Sequence, residues 1–384
     1  GCYDHHIPAA VWDLASRGEF MTAYTPYQAE ASQGTLQLIY EYQSMMTQLT
    51  AMDVSNASVY DGASGLAEAI LMAVRSNKSN KSRKVLYAEA LNPAYLATSN
   101  TIVSSQGIEL ERIPLQENGV MAIGNTIGEA PAAVVIQQPN FFGRLEQVDE
   151  ITNWAHSKGA LVIAVVNPMS LGVLKPPGLW GDNGVDIACG DGQPLGIPMS
   201  SGGPSFGFIC CKSKFVRQIP GRVVGKTEDL DGNPGYALTL QAREQHIRRG
   251  KATSNICTNQ GLLVTAGTIY LSLLGAQGLR ETAIKSHRNT NYLREKLLQI
   301  PGVEDEYAGP VFNEFVVGLP VDARELVALM AEQKILAGLS IEGLVYEKSV
   351  VSNKLLVAVT EKRTQQEMDR YLDIFSKVLG ELSS

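Results

Sequence analysis

Charge is in short supply in this chain of 384 residues. Asp, Glu, Lys and Arg together make up 18%, against about 25% in an ordinary globular protein. So little solvating charge predicts that much of the surface is buried, an oligomer being one way to do so. The basic side is the scarcer: 32 Lys and Arg against 39 Asp and Glu leave a net charge of −7 and a pI near 5.4. That balance argues against a nucleic acid or other polyanion as partner. Cysteine is sparse and odd in number, with Cys2, Cys189, Cys210, Cys211 and Cys257 showing no metal-ligand spacing. They read as small core residues in a reducing cytoplasm, adjacent Cys210 and Cys211 facing opposite sides of a strand. The five histidines (His5, His6, His156, His246 and His287) have no spacing that recommends a metal. Adjacent His5 and His6 could not face one ion, and His156 and His287 read as helix-surface residues. There is no uninterrupted apolar run of bilayer length, no signal peptide, no repeat and no low-complexity tract. Because the sequence opens at Gly1-Cys2 without methionine, its natural N-terminus is expected to be missing.

What is present is an ordinary 45% of apolar residues, in a chain longer than one core usually serves, so two domains are expected. Helical spacing runs over Leu36 to Leu49 and Ala63 to Val74, the second after the turn Tyr60-Asp-Gly-Ala-Ser64. Strand and helix then alternate: strand Lys84 to Glu89, helix Pro93 to Gln106, strand Ile108 to Leu115, strand Ala132 to Gln137, helix Gln147 to Ser157, strands Leu161 to Val166 and Phe206 to Cys211. Continuous apolar strands between amphipathic helices predict a three-layer α/β domain whose sheet is covered on both faces and mostly parallel. Gln218 to Tyr236 reads as a hairpin or excursion, followed by helices over Asn259 to Leu274 and Arg280 to Ile300. After Pro301-Gly302 the cadence changes: strand Phe312 to Gly318, helix Ala323 to Gln333, strand Lys354 to Val359, and a helix from Thr364, with Glu367 completing a capping box. These predict a small α+β C-terminal domain. The expected division is an arm over 1–45, a large domain over 46–290 and the small domain over 291–384.

The segment from Asp186 to Pro204 reads as a strand running into a glycine-rich loop. It resembles the active-site loop of pyridoxal-phosphate enzymes of the aspartate-aminotransferase type (fold type I), which carries the lysine that forms the Schiff base. Here the residue is Gln193. A carboxamide nitrogen is delocalised into its carbonyl and cannot condense with an aldehyde, so Gln193 cannot hold the cofactor covalently. In the same enzymes an aspartate near the end of the strand Leu161 to Val166 pairs with the ring nitrogen. This chain has neutral Asn167 there, with Val165 and Val166 as neighbours. The helix opening at Ser64 and Gly65 could cradle an anion at its positive end or could be an ordinary helix start. Asn140, past the end of a strand, reads equally as a turn residue or a ligand contact. Arg248 to Asn255 is basic and then hydroxyl-rich, either a solvated charge run with Thr253 or Ser254 as N-cap, or an anion site that faces another subunit. Tyr24, Tyr27 and Gln28 belong to a polar aromatic segment that could line a channel or pack across an interface.

Several stretches together resemble one family. They are Tyr3-Asp-His-His-Ile-Pro8, Tyr24-Thr-Pro-Tyr-Gln28, Ser32-Gln-Gly34, Asn56-Ala-Ser58, Gln138-Pro-Asn-Phe-Phe-Gly143, Lys175-Pro-Pro-Gly178, Gly190-Asp-Gly-Gln-Pro-Leu-Gly-Ile-Pro198 and His246 to Asn259. The family is the P-protein of the glycine cleavage system, in the form of its N-terminal half, subunit 1 of glycine dehydrogenase (decarboxylating). The resemblance spans essentially the whole chain, although Gly250 stands where the family more often has an acidic residue. It implies an aminotransferase-like fold and a partner, subunit 2, that carries the lysine and holds pyridoxal phosphate covalently. The pair would decarboxylate glycine and pass the aminomethyl group to the lipoyl arm of H-protein, two pairs forming a heterotetramer. It further implies that Thr253, helped by Arg249 or Lys251, reaches the partner's cofactor phosphate, and that Tyr24, Tyr27 and Gln28 wall a substrate channel. Ser64 and Gly65 would mark a vestigial anion site. No metal, nucleic acid or membrane is implied. The competing reading is a self-sufficient aminotransferase or desulfurase with Lys212 or Lys214 as its lysine, although these residues fit a solvent-facing strand exit. A non-catalytic scaffold is the third.

Overall fold

The structure, a computed structural model, describes residues 1–124, 130–341 and 353–383. Helices α1 (Ala9–Ala15) and α2 (Gln33–Thr50) precede a seven-stranded sheet. Its strands are β1 (Val54–Ser55), β2 (Lys84–Ala88), β3 (Glu109–Ile113), β4 (Ala133–Gln138), β5 (Leu161–Val166), β6 (Ile187–Asp191) and β7 (Gly207–Cys211), in the order β1-β7-β6-β5-β4-β2-β3. From β3 to β6 neighbouring strands are parallel, whereas β7 and then β1 close one edge antiparallel. Helices α3 (Gly62–Ser76), α4 (Pro93–Val103) and α5 (Val148–Ser157) connect them. The strands are apolar at successive positions because both faces are covered. Val134 and Ile136 of β4 pack with Tyr42 and Met46 of α2 and Ile151 of α5. Their neighbours Ala133 and Val135 pack on the other side, with Leu66, Ile70 and Ala73 of α3. Cys210 and Cys211 divide between the same two cores, following the strand's period of two.

A hairpin, β8 (Val223–Glu228) and β9 (Pro234–Thr239), and the short helix α6 (Gln245–Arg248) lead to α7 (Gly261–Leu297). The sequence predicts two helices in this last region. The structure agrees, α7 being two helical stretches joined at Gly275, which leaves helical geometry at φ 59° and ψ −173°. By length and composition α7 could cross a membrane, although no uninterrupted apolar run of bilayer length marks it. In the fold it is a core helix. Val264, Ala266 and Tyr270 belong to the large core, and Leu293 and Leu297 to a second one. That second core lies under a small antiparallel sheet of β10 (Glu304–Asp305), β11 (Glu314–Gly318), β12 (Leu339–Ser340) and β13 (Lys354–Ala358), with helices α8 (Ala323–Glu332) and α9 (Gln365–Leu382). The expected aminotransferase-like α/β architecture with a small α+β unit is the one found.

Candidate functional site

The carboxyl ends of β4, β5 and β6 are where an open α/β sheet presents ligand-binding groups. There Gln137, Asn167 and Asp191 meet Asn92, the N-cap of α4, Tyr95 of α4 and, from the small unit, Asn313 and Glu314, around one pocket. Gln193 lies just past β6, on a loop pressed tightly onto its surroundings. A Cβ on Gly192 would collide with the Phe206 ring, and one on Gly190 with the carbonyl of Val166. The side chain of Gln193 is 2% exposed and fully engaged. Its Oε1 accepts from the Tyr3 amide at 2.8 Å, and its Nε2 donates to the carbonyls of Tyr3 at 2.9 Å and Ile197 at 2.8 Å. The carboxamide thus pairs with the main chain of an N-terminal strap much as a neighbouring strand would. The strap continues across the pocket, where the Tyr3 hydroxyl donates to Glu314 Oε2 at 2.8 Å.

The start of α3 is also occupied by the chain itself. Asp61 caps the Ser64 amide at 2.7 Å, and the Ser64 hydroxyl turns back to Asp61. Asp191 Oδ2 accepts from the Gly62 amide at 3.0 Å, while its Oδ1 accepts from the Gln193 amide at 2.9 Å and from Ser205. Burial raises Asp191, and these bonds offset only part of that effect. Ser64 therefore belongs to a capping box, and buried Gly65 lets α3 lie against Val59 and Phe208. Of the amides offered to an anion by the sequence, those of Gly62 and Ser64 are engaged by carboxylates and that of Gly65 by the Asp61 carbonyl. Asn167 borders the pocket, with its Oδ1 taken by the Met169 amide at 3.0 Å. The remaining free volume is about 40 Å³, room for about three water molecules. The residues here do not suit pyridoxal phosphate: no lysine lines the pocket, and carboxylates hold the Gly62 and Ser64 amides that would face its phosphate.

Lys212 and Lys214 lie elsewhere. Their ammonium groups bind Asp186 Oδ1 at 3.1 and 3.3 Å. Asp186 stands immediately before β6 and Gln193 just after it, so the two are separated by at least ~17 Å of strand. His156, expected on a helix surface, is partly buried and bonds Asp186 Oδ2 at 2.9 Å. Asn140 is 1% exposed and shapes its loop: it donates to Gly119 and Glu146 and accepts from the amides of Phe142 and Arg144. That favours the turn reading over the ligand contact.

Thr253 and Arg249 line one wide surface cleft, together with Arg75, Glu68 and Ser254, whereas Lys251 is not part of its wall. Arg249 and Lys251 are exposed and form no ion pair among the described residues. Tyr27 leans toward the same region. Its hydroxyl accepts from Arg222 at 3.1 Å and its ring meets the edge of His246 at 5.5 Å. Tyr24 is 85% exposed and Gln28 is also exposed, so neither shares a pocket with Gln193. Reading the sequence missed Tyr3, Asp191 and the buried Arg222. Of these only Asp191, an acid two residues before Gln193, left a local signal.

The glycine cleavage system P-protein family matches residues 1–375. A probable glycine dehydrogenase (decarboxylating) subunit 1 from Francisella tularensis subsp. holarctica is 58% identical over 386 residues, which is all of this chain and 84% of the relative. The protein of that name from Alcanivorax borkumensis is 56% identical over 384 residues, 99% of this chain and 84% of the relative. Among solved structures, glycine decarboxylase (P-protein) of the glycine cleavage system in inhibitor-bound form superposes with a TM-score of 0.92 at 44% identity, covering 98% of this chain and 84% of that one. Lactobacillus brevis glutamate decarboxylase, at 12% identity and a TM-score of 0.69 over 100% of this chain and 87% of its own, shares the fold alone. With the family matched over nearly its full length and relatives well above half identical, the chain belongs to the glycine cleavage system P-protein family, on its subunit 1 side.

Proposed function

We propose that this chain is the non-condensing half of a two-chain glycine dehydrogenase (decarboxylating). Its partner is the related subunit that carries the lysine, and two such pairs assemble as a heterotetramer in the cytoplasm. The pair decarboxylates glycine and hands the aminomethyl group to the lipoyl arm of H-protein. The observation that carries the reading is Gln193, spent on three hydrogen bonds at the place where a lysine would act. Pyridoxal phosphate held by the partner supplies the electron withdrawal that lets carbon dioxide leave. This chain's residues bind and orient. Thr253 offers a hydroxyl, and Arg249 a guanidinium, to the phosphate of the partner's cofactor, with Lys251 adding positive charge nearby. Tyr24, Tyr27 and Gln28 form part of the wall along which substrate and lipoyl arm approach. In support, both cations are exposed and without an ion pair among the described residues, and Arg249 stands on the wall of an open cleft.

The test is to mix the isolated chain with pyridoxal phosphate, reduce with borohydride and measure its mass, then add the partner subunit and follow carbon dioxide release from glycine. No adduct on this chain, and activity only with the partner, is expected. A stable adduct at one lysine of this chain would overturn the reading. In the reconstituted pair Thr253→Val should weaken cofactor retention roughly tenfold, the effect of one lost hydrogen bond to a charged group. Unchanged retention would remove Thr253 from the phosphate site.

A further inference from the structure

We infer that Arg222 is a positioning residue, holding Tyr27 and the loop 253–259 in one fixed relation so that both meet the partner subunit together. The inference rests on the contacts proposed above for Thr253 and Tyr27. Arg222 is 3% exposed, and its guanidinium reaches two segments that are distant in sequence. Nη2 donates to the Tyr27 hydroxyl at 3.1 Å and to the Cys257 carbonyl at 2.6 Å. Nη1 donates to Thr258 Oγ1 at 3.4 Å and to Asn259 Oδ1 at 3.3 Å. The guanidinium carbon also stands 5.4 Å from the centre of the Tyr27 ring. A planar fork with several donors can span two segments in this way, whereas the ammonium of a lysine is a single point on a flexible stem.

Neither segment has regular structure of its own, since Tyr27 and residues 252–260 lie outside helices and strands. Their conformation therefore depends on groups from elsewhere. Thr253 has a tie close to Arg222: its amide donates to the Arg243 carbonyl at 3.1 Å, and the Arg243 guanidinium donates to the carbonyls of Ile219 and Gly221. Both ends of the loop are thus fixed to the stretch 219–222. Asn56 joins that stretch to the large sheet, donating to the Pro220 carbonyl at 3.0 Å and accepting from the Ile209 amide of β7 at 3.2 Å. Thr253 lines both the small pocket beside Arg222 and the wide cleft, so it links the buried fork to the face offered to the partner. The fold alone does not call for a cation here. The hydrogen-bond acceptors are neutral, and the Glu244 carboxylate stands off at 3.9 Å. Burying a charge in such surroundings costs free energy, and packing is served as well by an apolar side chain. What the fork adds is geometry, because a loop ordered before the partner arrives need not be ordered on binding.

The test is Arg222→Lys, which keeps the charge and loses the fork. Should that variant fail to melt cooperatively, Arg222→Gln takes its place. In the isolated chain, hydrogen exchange at the bonded amides of Tyr27, Thr253 and Gln260 should quicken at least about tenfold, while exchange in β4 and β5 stays as in the parent. In the reconstituted pair the variant should retain cofactor about tenfold less well. In a Thr253→Val background the same change should add little, because Arg222 acts through Thr253. A purely structural role would quicken exchange throughout the chain and add its effect to that of Thr253→Val. The inference falls if the folded variant exchanges as the parent does at those amides, if β4 and β5 quicken equally, or if the two losses of retention simply add. Should Thr253→Val alone leave retention unchanged, the phosphate contact fails, and exchange in the isolated chain still decides the role of Arg222.

Discussion

A carboxamide and an ammonium of similar length place opposite demands on a buried site. Gln193 both accepts from and donates to the main chain of Tyr3, whereas a lysine can only donate. Gln193→Lys would leave the Tyr3 amide without an acceptor and bury a charge among carbonyls, a change that costs about 3 kcal/mol. The expected result is a lower denaturation midpoint and, after borohydride reduction with pyridoxal phosphate, no adduct. An adduct with unchanged stability would contradict this account of the residue. Asp186 gives a second residue-scale test. Burial pushes it up, but the bond from His156, the Lys212 ammonium and the Val162 amide outweigh that and bring it from 3.8 to about 2. Its folded value lies below the unfolded one, so its stabilisation is complete above about 3.8 and disappears as pH falls through about 2. The size is about 2 kcal/mol. Asp186→Asn should flatten that acid limb in urea unfolding curves recorded across the window, and an unaltered slope there would refute the assignment.

At the scale of elements, legibility follows from whether the chain itself specifies the structure. Strands β4 and β5 are recognisable because both faces are buried, leaving apolar runs too short for helices. The start of α9 is recognisable because Thr364 and Glu367 cap each other. By contrast, β1, β10 and β12 have two residues each and exist only through pairing with a neighbour. Seven-residue α1 has no capping side chain, no acid in its first turn and no base in its last to announce it. Gly275 is legible as the break in α7, where the backbone leaves helical geometry. The cap of α9 makes a prediction at this scale. Thr364→Ala removes the acceptor of the Glu367 amide and one half of the capping box, costing about 1 kcal/mol. Hydrogen exchange should quicken in the first turn of α9 and in the small sheet it covers, leaving the large sheet unchanged. Equal acceleration in both would show that the two cores open together.

Across the whole molecule the site depends on contacts that local pattern cannot reveal. Its lysine-less loop and neutral Asn167 were readable through family resemblance, but Gln193 bonds a residue 190 positions upstream, and the strap's next anchor is 356 positions away. After Tyr3 the strap crosses to the small unit. Thr360 donates to the Asp4 carbonyl at 2.7 Å, and Lys362 and Arg363 pair with the Asp4 carboxylate. Glu361 is a further buried anchor, 7% exposed. It accepts from His5 Nδ1 at 2.7 Å, the His6 amide at 2.6 Å and the Ser286 hydroxyl at 3.1 Å. One segment thus ties the Gln193 loop, α7 and the small sheet together over the pocket. Glu361→Ala would strand two buried groups, the His5 ring nitrogen and the Ser286 hydroxyl, at a cost of about 3–5 kcal/mol for a broken buried pair. If the strap closes the pocket, exchange at residues 3–6 should rise far more in this variant than exchange in β4 or β5, and the Gln193 loop should follow the strap. A uniform loss of stability with the strap still protected would mean that Glu361 supports only the small unit, and that Gln193 alone holds the pocket shut.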